Sequence, residues 1–380
     1  MSNPLIEVQK YGQSIWYDNI SRGLIVSGEL KRMVDEDGLR GVTSNPAIFE
    51  KAIAESSDYD PAIRALVRQG VDSAMEIYER VAIEDIQLAA DVLRPVYDAT
   101  DRRDGYVSFE VSPYLAADTE KTVEYARRVH AWIGRENILI KVPGTPEGMP
   151  AIATLIGEGI SVNVTLLFAV DAYESCANAY MEGLEKWTGK GNDPSVVASV
   201  ASFFISRIDS LVDDRLRALA EAEPAQKEKA ESLAGQIAVV NALVAYDRYH
   251  QLVAADRWKA LAAKGARTQR VLWASTSTKN KAYPKTKYVD ELIGRDTVNT
   301  IPTETFNEYR RTGRPTPALQ EEWEKKLAAA RARLALLGEI GLSMDACTDQ
   351  LLDEGVTKFS EAFDTLLRAI EEKRNVLKAA

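Results

Sequence analysis

The chain has 380 residues, of which 47 are basic and 57 acidic, so its formal net charge is −10 at pH 7. Hydrophobic residues make up 46% of the chain and charged residues 27%, which is typical of a globular protein with a large buried core. The acidic balance argues against nucleic acid as a main partner, because binding to a phosphate backbone needs a basic face.

Membrane insertion and secretion also find no support in the sequence. The chain contains no run of about 18 apolar residues, and its start, MSNPLIEVQKYGQS, lacks the basic and apolar regions of a signal peptide. Cys176 and Cys347 are the only cysteines, and they lie far apart without metal-binding spacing. We therefore expect a cytoplasmic protein with reduced thiols and no membrane partner, either a monomer or a homodimer.

Eight short apolar runs are predicted to be β-strands, and longer helical stretches separate most of them. Most of the runs are apolar on consecutive residues, which is typical of strands covered on both faces in a parallel sheet. The runs are Ser14–Asp18, Leu39–Ser44, Tyr106–Val111, Ile138–Val142, Ile160–Leu166, Val196–Phe203, Arg270–Ser275 and Thr297–Ile301. Eight strands with helical crossovers favour an α/β fold, a (β/α)8 TIM barrel with helical insertions. A doubly wound open sheet is the alternative that the pattern leaves open.

Helices are predicted between the strands and beyond the last one. The stretches between strands are Ala62–Leu93, Glu120–Ile133 and Ile208–Leu261. Thr316-Pro317 predicts the start of a C-terminal helix, because a cap is followed by proline at the first helical position. The apolar stripes of the two C-terminal helices are Leu319, Trp323, Leu327, Leu334 and Leu337, ended by Gly338, and then Phe359, Phe363, Leu366 and Ile370 after Gly355. We expect one domain over residues 1–380, with 316–380 as appended C-terminal helices.

Polar residues near the ends of the predicted strands are the candidates for chemistry, since the C-terminal ends of the strands form the active-site face of such a barrel. They are Asp18, Thr43, Ser44, Asn45, Glu110, Lys141, Asn163, Thr165, Ser202, Ser275 and Lys279. Neither histidine, His130 or His250, lies at a strand end, so we expect no metal site. No Gly-rich phosphate loop follows a strand, so a nucleotide cofactor has no support.

Lys141 is the most informative of these residues, because it interrupts the apolar strand ILIKVPG. Burying an ammonium group costs several kcal/mol unless the group is paired or deprotonated. A buried amine in its neutral form is the nucleophile that makes a Schiff base with a carbonyl substrate. The alternative is a structural lysine at a strand end, which reaches solvent or pairs with an acid.

Two carboxylates at neighbouring strand ends favour the chemical interpretation. Schiff-base aldol reactions need proton transfer at several steps, so acid/base groups must lie beside the amine. Glu110 ends the strand before that of Lys141, and Asp18 follows the apolar run IWY. Each carboxylate has an alternative interpretation as part of a salt bridge to an arginine at the barrel mouth.

Three further segments are candidates for holding a substrate. Asn45 precedes Pro46 and is predicted to cap the helix PAIFEKAI, which explains the Asn-Pro pair without a substrate. Ser202 to Arg207 link a strand to a helix, so hydroxyls, free backbone N–H groups and an arginine predict a phosphate site, with a plain serine cap as the alternative. Ser275 and Lys279 in WASTSTKN are candidates to complete the positive pocket that an acidic protein needs for an anion.

Five motifs in this order resemble those of the transaldolases: TSNPAIFEKAI, VSFEVSP, ILIKVPGT, SVNVTLLF and SVASFFISRID. The resemblance covers residues 9–305 and extends into the C-terminal DEGVTKFSEAF, and the length and WASTSTKN are similar to the longer bacterial subclass. It implies a barrel related to class I aldolases and no cofactor. The implied reaction transfers dihydroxyacetone from sedoheptulose 7-phosphate or fructose 6-phosphate to glyceraldehyde 3-phosphate or erythrose 4-phosphate.

The resemblance also implies a role for individual residues. Lys141 is implied as the Schiff-base lysine, Asp18 as the acid/base of aldol cleavage, and Glu110 with Thr165 as the pair that positions a water. The implied substrate contacts are Asn45 and Asn163 for the dihydroxyacetone hydroxyls, Ser202 and Arg207 for the phosphate, and Phe204 as a lining aromatic, with Thr43 and Ser44 as neighbouring candidates.

One departure from the family pattern concerns the phosphate. Shorter transaldolases have an arginine after the seventh strand, where this chain offers Ser275 to Lys279. Lysine binds phosphate as a point charge and not as a bidentate fork. Three rival functions also stay open: a class I fructose 6-phosphate aldolase that uses the same lysine, a non-catalytic sugar-phosphate binding protein, and a scaffold that uses its C-terminal amphipathic helices.

Overall fold

Eight parallel strands close into a barrel, each paired with the next in the chain and the last paired with the first. The computed structural model describes residues 3–379, and Met1, Ser2 and Ala380 of the predicted domain lie outside the described residues. The strands are β1 (Gln13–Tyr17), β2 (Gly41–Thr43), β3 (Tyr106–Glu110), β4 (Ile138–Pro143), β5 (Val162–Leu167), β6 (Ser199–Phe204), β7 (Arg270–Ala274) and β8 (Thr297–Ile301). The predicted (β/α)8 barrel is confirmed, and the open sheet is excluded because β8 pairs with β1 along its whole length.

Every residue of the eight strands is buried, which explains why their sequences are apolar on consecutive positions. The strand register places the polar residues of these apolar strands at one level of the barrel. Glu110 on β3 pairs with Lys141 on β4, and Lys141 pairs with Asn163 on β5. Closure of β8 onto β1 brings Ile301 beside Tyr17, so Asp18 follows directly above that pair.

Seventeen α-helices lie within residues 3–379 and surround the barrel. They are α1 (Pro4–Glu7), α2 (Arg22–Val26), α3 (Glu29–Asp37), α4 (Pro46–Ala54), α5 (Asp60–Arg68), α6 (Ala74–Ala99), α7 (Thr119–Ile133), α8 (Gly148–Ile156), α9 (Val170–Gly189), α10 (Ser206–Ala222), α11 (Lys227–Leu233), α12 (Ile237–Ala254), α13 (Asp256–Ala262), α14 (Lys287–Asp290), α15 (Thr303–Thr312), α16 (Trp323–Glu339) and α17 (Met344–Ala379). None of the described helices is long and apolar enough to cross a membrane.

Several predicted helices have different ends in the structure. The stretch Ala62–Leu93 is two helices, α5 and α6, and Ile208–Leu261 is divided into α10 to α13, with a 3-10 turn at Pro224–Gln226. Proline lacks the backbone N–H that a continuous helix needs, so the chain turns there. The prediction of Glu120–Ile133 is confirmed by α7.

The C-terminal helices differ more from their prediction. The predicted start at Thr316-Pro317 is wrong, because α16 begins at Trp323 and Leu319 is already buried before it. The second predicted stripe is buried on a longer helix, since α17 is continuous from Met344 to Ala379 and includes Gly355. Gly355 lies inside α17 because this helix passes very close to the barrel: a Cβ at that position would lie 2.9 Å from Cδ2 of Leu166.

Candidate active site

A cavity of about 220 Å³ opens at the C-terminal ends of the strands. Ten of the predicted site residues line it: Asp18, Thr43, Asn45, Lys141, Thr165, Ser202, Phe204, Arg207, Ser275 and Lys279. The other three, Ser44, Glu110 and Asn163, lie directly behind this lining and are hydrogen-bonded to it or to its supports. The structure therefore brings residues from seven strand ends or their loops to one place.

Lys141 lies on the floor of the cavity and is only 5% exposed. Its Nζ donates to the backbone oxygen of Ser44 at 2.8 Å and lies 3.1 Å from Oε2 of Glu110. The register of β3 and β4 places the two side chains at the same level, so the ion pair is a consequence of strand pairing. A buried amine with one carboxylate partner is equipped to pass a proton to that partner and then attack a carbonyl.

Glu110 is buried, and only one of its carboxylate oxygens accepts a hydrogen bond. Oε2 accepts from Lys141, whereas Oε1 has no hydrogen-bond partner among the described residues. Burial raises the pKa of Glu110 above its ordinary value, against the opposing positive charge of Lys141. The hydroxyl of Thr165, which lines the cavity, is likewise buried without a partner among those residues. Both unpaired atoms are available to a substrate or a water.

Asp18 lies on the side of the cavity where the barrel closes. Its backbone N–H donates to the carbonyl of Ile301 at 3.0 Å, and its Oδ1 accepts from the hydroxyl of Thr43 at 2.7 Å. Thr43 Oγ1 also lies 2.6 Å from Oγ1 of Thr300. Burial raises the pKa of Asp18, and the positive charge of Lys141 opposes this shift. A carboxyl with a raised pKa beside a reacting centre is suited to accept and return a proton.

Two predicted substrate residues, Asn163 and Ser44, do not line the cavity. The side-chain oxygen of Asn163 accepts from Ser202 at 2.7 Å, and its Nδ2 donates to Ser108 at 3.0 Å. The hydroxyl of Ser44 donates to the carbonyl of Ser108 at 2.8 Å. Both side chains therefore hold neighbouring strands together below the cavity floor.

Asn45 combines a structural and a cavity-facing role. It caps α4 as predicted, since its side-chain oxygen accepts from the backbone N–H of Ile48 at 3.0 Å and Pro46 occupies the first turn. The cap uses only the oxygen of the amide. Because Asn45 also lines the cavity, its Nδ2 group is the part of the side chain left to donate to a ligand.

Two cations, Arg207 and Lys279, form the part of the cavity lining that we call its cationic end. Within residues 3–379, neither has a carboxylate hydrogen-bond partner: Lys279 Nζ donates to Ser277 at 2.8 Å, and Nη1 of Arg207 is buried without a partner. Burial lowers the pKa of Lys279, and the nearby charge of Arg207 adds to the shift. Burial also lowers the pKa of Arg207. Carboxylates lie near both cations, Asp18 near Lys279 and Glu354 near Arg207, but none forms an ion pair with them among the described residues. Two neighbouring cations without an ion-pair partner are arranged to receive an anion.

Two polar or aromatic side chains of the lining are not among the predicted site residues. Thr300 lines the cavity from β8, and Phe359 reaches it from α17. Phe359 had been assigned only to an apolar helical stripe, which gives no information on what the stripe covers. The position of Thr300 beside Thr43 depends on barrel closure, for which the sequence carries no direct signal.

Other cavities lack this chemistry. Three are larger: one of about 460 Å³ lies against α10 and α11, one of about 500 Å³ lies around His130 of α7, and one of about 280 Å³ lies beside Arg270 of β7. The linings of all three lack a buried amine paired to a carboxylate. His250, on α12, packs against Tyr246 with ring centroids 4.4 Å apart. The cavity at the strand ends is therefore the candidate active site.

The fold and this cavity together define a class of protein: a (β/α)8 barrel with a buried lysine, two carboxylates and a cationic end, suited to amine chemistry on an anionic carbonyl compound. The sequence profile of the family described as Transaldolase/Fructose-6-phosphate aldolase matches residues 15–370. The chain belongs to this family, as the motifs predicted.

Curated relatives match over nearly the whole chain. A protein named Transaldolase from Trichodesmium erythraeum is 48% identical, with 98% of each chain covered. Transaldolase 2 from Nostoc sp. is 47% identical, over 99% of this chain and 98% of its own. A Transaldolase from Thermobifida fusca is 43% identical, over 98% of this chain and 99% of its own.

Proposed function

We propose that the protein is a transaldolase of the pentose phosphate pathway, which transfers a dihydroxyacetone unit through a Schiff base on Lys141. The observation that carries the proposal is the buried pair of Lys141 and Glu110 in the barrel cavity. The full-length relatives named Transaldolase support it. The donor would be sedoheptulose 7-phosphate or fructose 6-phosphate, and the acceptor glyceraldehyde 3-phosphate or erythrose 4-phosphate.

Imine formation begins when Lys141 gives a proton to Glu110, whose Oε2 is 3.1 Å away. The neutral amine attacks C2 of the ketose, and the carbinolamine loses water to give the iminium. Glu110 retains a proton more readily than an exposed glutamate because burial raises its pKa. The unpaired Oε1 of Glu110 and Oγ1 of Thr165 hold the water that leaves here and returns when the imine is hydrolysed.

Carbon–carbon cleavage uses Asp18. Its carboxylate takes the proton from the C4 hydroxyl, the C3–C4 bond breaks, and its electron pair moves into the iminium to give an enamine. The aldose phosphate leaves while the dihydroxyacetone unit stays covalently bound to Lys141. The acceptor aldehyde then reacts with the enamine, and Asp18 returns the proton to the new hydroxyl.

The cationic end of the cavity binds the phosphate of donor and acceptor. Arg207 and Lys279 lie there without acid partners among the described residues, and Ser275 lies beside them. When the phosphate dianion is bound at this end, the carbon chain of the sugar extends toward Asp18 and Lys141. Asn45 and Thr43 contact the dihydroxyacetone hydroxyls, Phe204 lines the passage, and Ser202, Asn163 and Ser44 support them from below.

The cycle runs on side chains alone and needs no cofactor or metal. A cytoplasmic setting is part of the proposal, because the two cysteines, Cys176 and Cys347, are both buried and unpaired. The oligomeric state that we expect is a monomer or a homodimer.

The decisive experiment is to measure glyceraldehyde 3-phosphate release from fructose 6-phosphate, with and without erythrose 4-phosphate. We expect release that depends on the acceptor, because the enamine stays bound to Lys141 until an aldehyde reacts with it. Equal release without the acceptor would make the protein a fructose 6-phosphate aldolase, the other activity in the family description. No release under either condition would refute both activities.

A further inference from the structure

The guanidinium group of Arg207 lies close to two aromatic rings from distant parts of the chain. Its Cζ is 5.3 Å from the ring centroid of Phe204, near the end of β6, and 5.9 Å from that of Phe359, in α17. Both rings line the cavity. A cation over an aromatic face at this distance is attracted by the ring quadrupole, and the effect grows when water is excluded.

Few other contacts orient this guanidinium. Nη1 is buried without a hydrogen-bond partner among the described residues. Glu354 lies near Arg207 on α17, but its two carboxylate oxygens accept from Gln350 and Lys358, both at 2.7 Å. Glu110 is held by Lys141. The two rings are therefore the main contacts of the guanidinium, and its N–H edge is left free for a ligand.

The backbone of α17 is adapted to bring Phe359 to this position. Gly355, one turn before Phe359, faces Leu166, and a Cβ there would lie 2.9 Å from Leu166 Cδ2 and 3.7 Å from Nη1 of Arg207. Leu166 itself has a φ of +61° at an irregularity in the pairing of β5 with β6. Such irregularities are common beside active sites, where they redirect side chains. Two unusual local features thus allow the helix to approach the arginine.

Other residues anchor α17 to the protein. Phe363 packs edge-on against Tyr78 and Tyr114, with centroids 5.3 and 5.4 Å away. Lys373 forms an ion pair with Asp60 at 2.8 Å. Attachment of the helix therefore does not depend on Phe359 alone, and the effect of this residue on the cavity is separable from its effect on folding.

We infer that Phe359 is a positioning residue for the substrate phosphate: it holds the Arg207 guanidinium against Phe204 with its N–H edge turned into the cavity. The inference rests on the proposed function for the identity of the substrate, a ketose or aldose with a terminal phosphate. A guanidinium that is attracted to aromatic rings and has an N–H donor without a protein partner keeps that donor for a phosphate oxygen. The C-terminal helix thereby becomes part of the substrate site.

Phe359→Leu removes the aromatic face and keeps an apolar side chain. Phe363→Leu is the matched control, since it makes the same change one turn further along α17 and outside the cavity lining. We expect Phe359→Leu to weaken binding of inorganic phosphate, measured by calorimetry, by about three- to tenfold. It should raise KM for fructose 6-phosphate by a similar factor and change kcat by less than about twofold. The kcat/KM for unphosphorylated fructose should stay the same, and Phe359→Tyr, which keeps the ring, should restore phosphate affinity.

The outcomes separate the inference from the proposed function. If the wild-type protein binds phosphate but has no transaldolase activity, the proposed function fails and the phosphate titration still tests Phe359. Wild-type phosphate affinity in Phe359→Leu would overturn the inference, as would an equal loss of kcat/KM for fructose and fructose 6-phosphate or an equal effect of Phe363→Leu.

A second pair of variants gives an independent test if Phe359→Leu does not fold. Gly355→Ala places a methyl group 2.9 Å from Cδ2 of Leu166, so this side chain or α17 must shift beside Arg207, whereas Gly338→Ala adds a methyl group in open space on α16. Weaker phosphate binding in the first variant only is the expected result. Equal affinities in the two variants would contradict the inference.

Discussion

The two ends of the cavity are built in different ways. The end with Lys141 and Glu110 lies on adjacent strands, is buried, and pairs its charges internally at 3.1 Å. The end with Arg207 and Lys279 comes from a helix start and a loop, is closed by α17, and has no internal acid pairing among the described residues. The first arrangement is suited to accept and donate protons, and the second is suited to bind an anion.

This difference has a consequence for the effects of substitutions. A change at the paired end alters the reacting groups themselves, so it should act on kcat. A change at the unpaired end removes an attraction for a group remote from the reacting carbon, so it should act mainly on KM for phosphorylated substrates. Substitutions at each end test this division.

Lys141→Met should abolish turnover, with a loss of at least about 10³-fold, because no other side chain in the cavity lining supplies an amine beside Glu110. The methionine fills the volume of the lysine stem without a nucleophile. The measurement is kcat for fructose 6-phosphate, together with the mass of the protein after borohydride reduction in the presence of this donor. Lys186→Ala, at a half-exposed lysine on α9, is the control that should keep full activity and the trapped adduct. More than a few per cent of wild-type turnover in Lys141→Met would refute the assignment.

Asp18→Asn should lower kcat by about 10²- to 10⁴-fold, the usual range for removing a general acid/base. The amide keeps the oxygen that accepts from Thr43 but does not take a proton from the C4 hydroxyl. The Schiff base should still form, because that step uses Lys141 and Glu110. Steady-state kinetics and borohydride trapping measure the two effects separately. If the variant lost trapping as well as turnover, Asp18 would act before carbon–carbon cleavage and the proposed role would be wrong.

Lys279→Ala should raise KM for fructose 6-phosphate by about 10- to 100-fold, since a charge-assisted hydrogen bond to phosphate contributes about 1.5–3 kcal/mol. The kcat should fall much less than in Asp18→Asn. Lys281→Ala is the matched control, because it removes an exposed lysine two residues along the same loop. Equal KM values for the two variants would show that Lys279 does not hold the phosphate, and the comparison between the two ends would then depend on Arg207 alone.

The residues of the candidate active site differ in how far the sequence predicts them. Glu110, Lys141 and Asp18 were found as polar residues that interrupt or end apolar strands, a local signal that needs only the period of the pattern. Phe359 and Thr300 were missed because their place depends on where α17 packs and on the pairing of β8 with β1. The sequence gives no reason for a glycine at position 355, whereas in the structure its small size allows a contact with Leu166, nearly 190 residues earlier in the chain. Long-range packing of this kind leaves no periodic trace in one sequence.

The smallest predicted effect is on the stability of the fold and comes from Asp18. Burial raises the pKa of Asp18, so the folded protein binds this proton more tightly than the unfolded chain does. The ionised carboxylate therefore destabilises the fold at pH 7 to 8, and Asp18→Asn removes that cost. Each pKa unit of such a shift corresponds to about 1.4 kcal/mol, which is a rise in Tm of up to about 4 °C for a large domain.

The size of this stability difference changes with pH in a way that identifies its cause. As the pH falls through the raised pKa of Asp18, the wild-type carboxyl is protonated in the folded state and the advantage of the variant shrinks. The difference in stability should disappear near pH 4, which is about the pKa of the carboxyl in the unfolded chain. Thermal unfolding of both proteins from pH 8 to pH 5 measures the trend, with Asp349→Asn, at an exposed position on α17, as the control without it. An advantage that stayed constant with pH would come from packing, and the raised pKa of Asp18 would then not be its source.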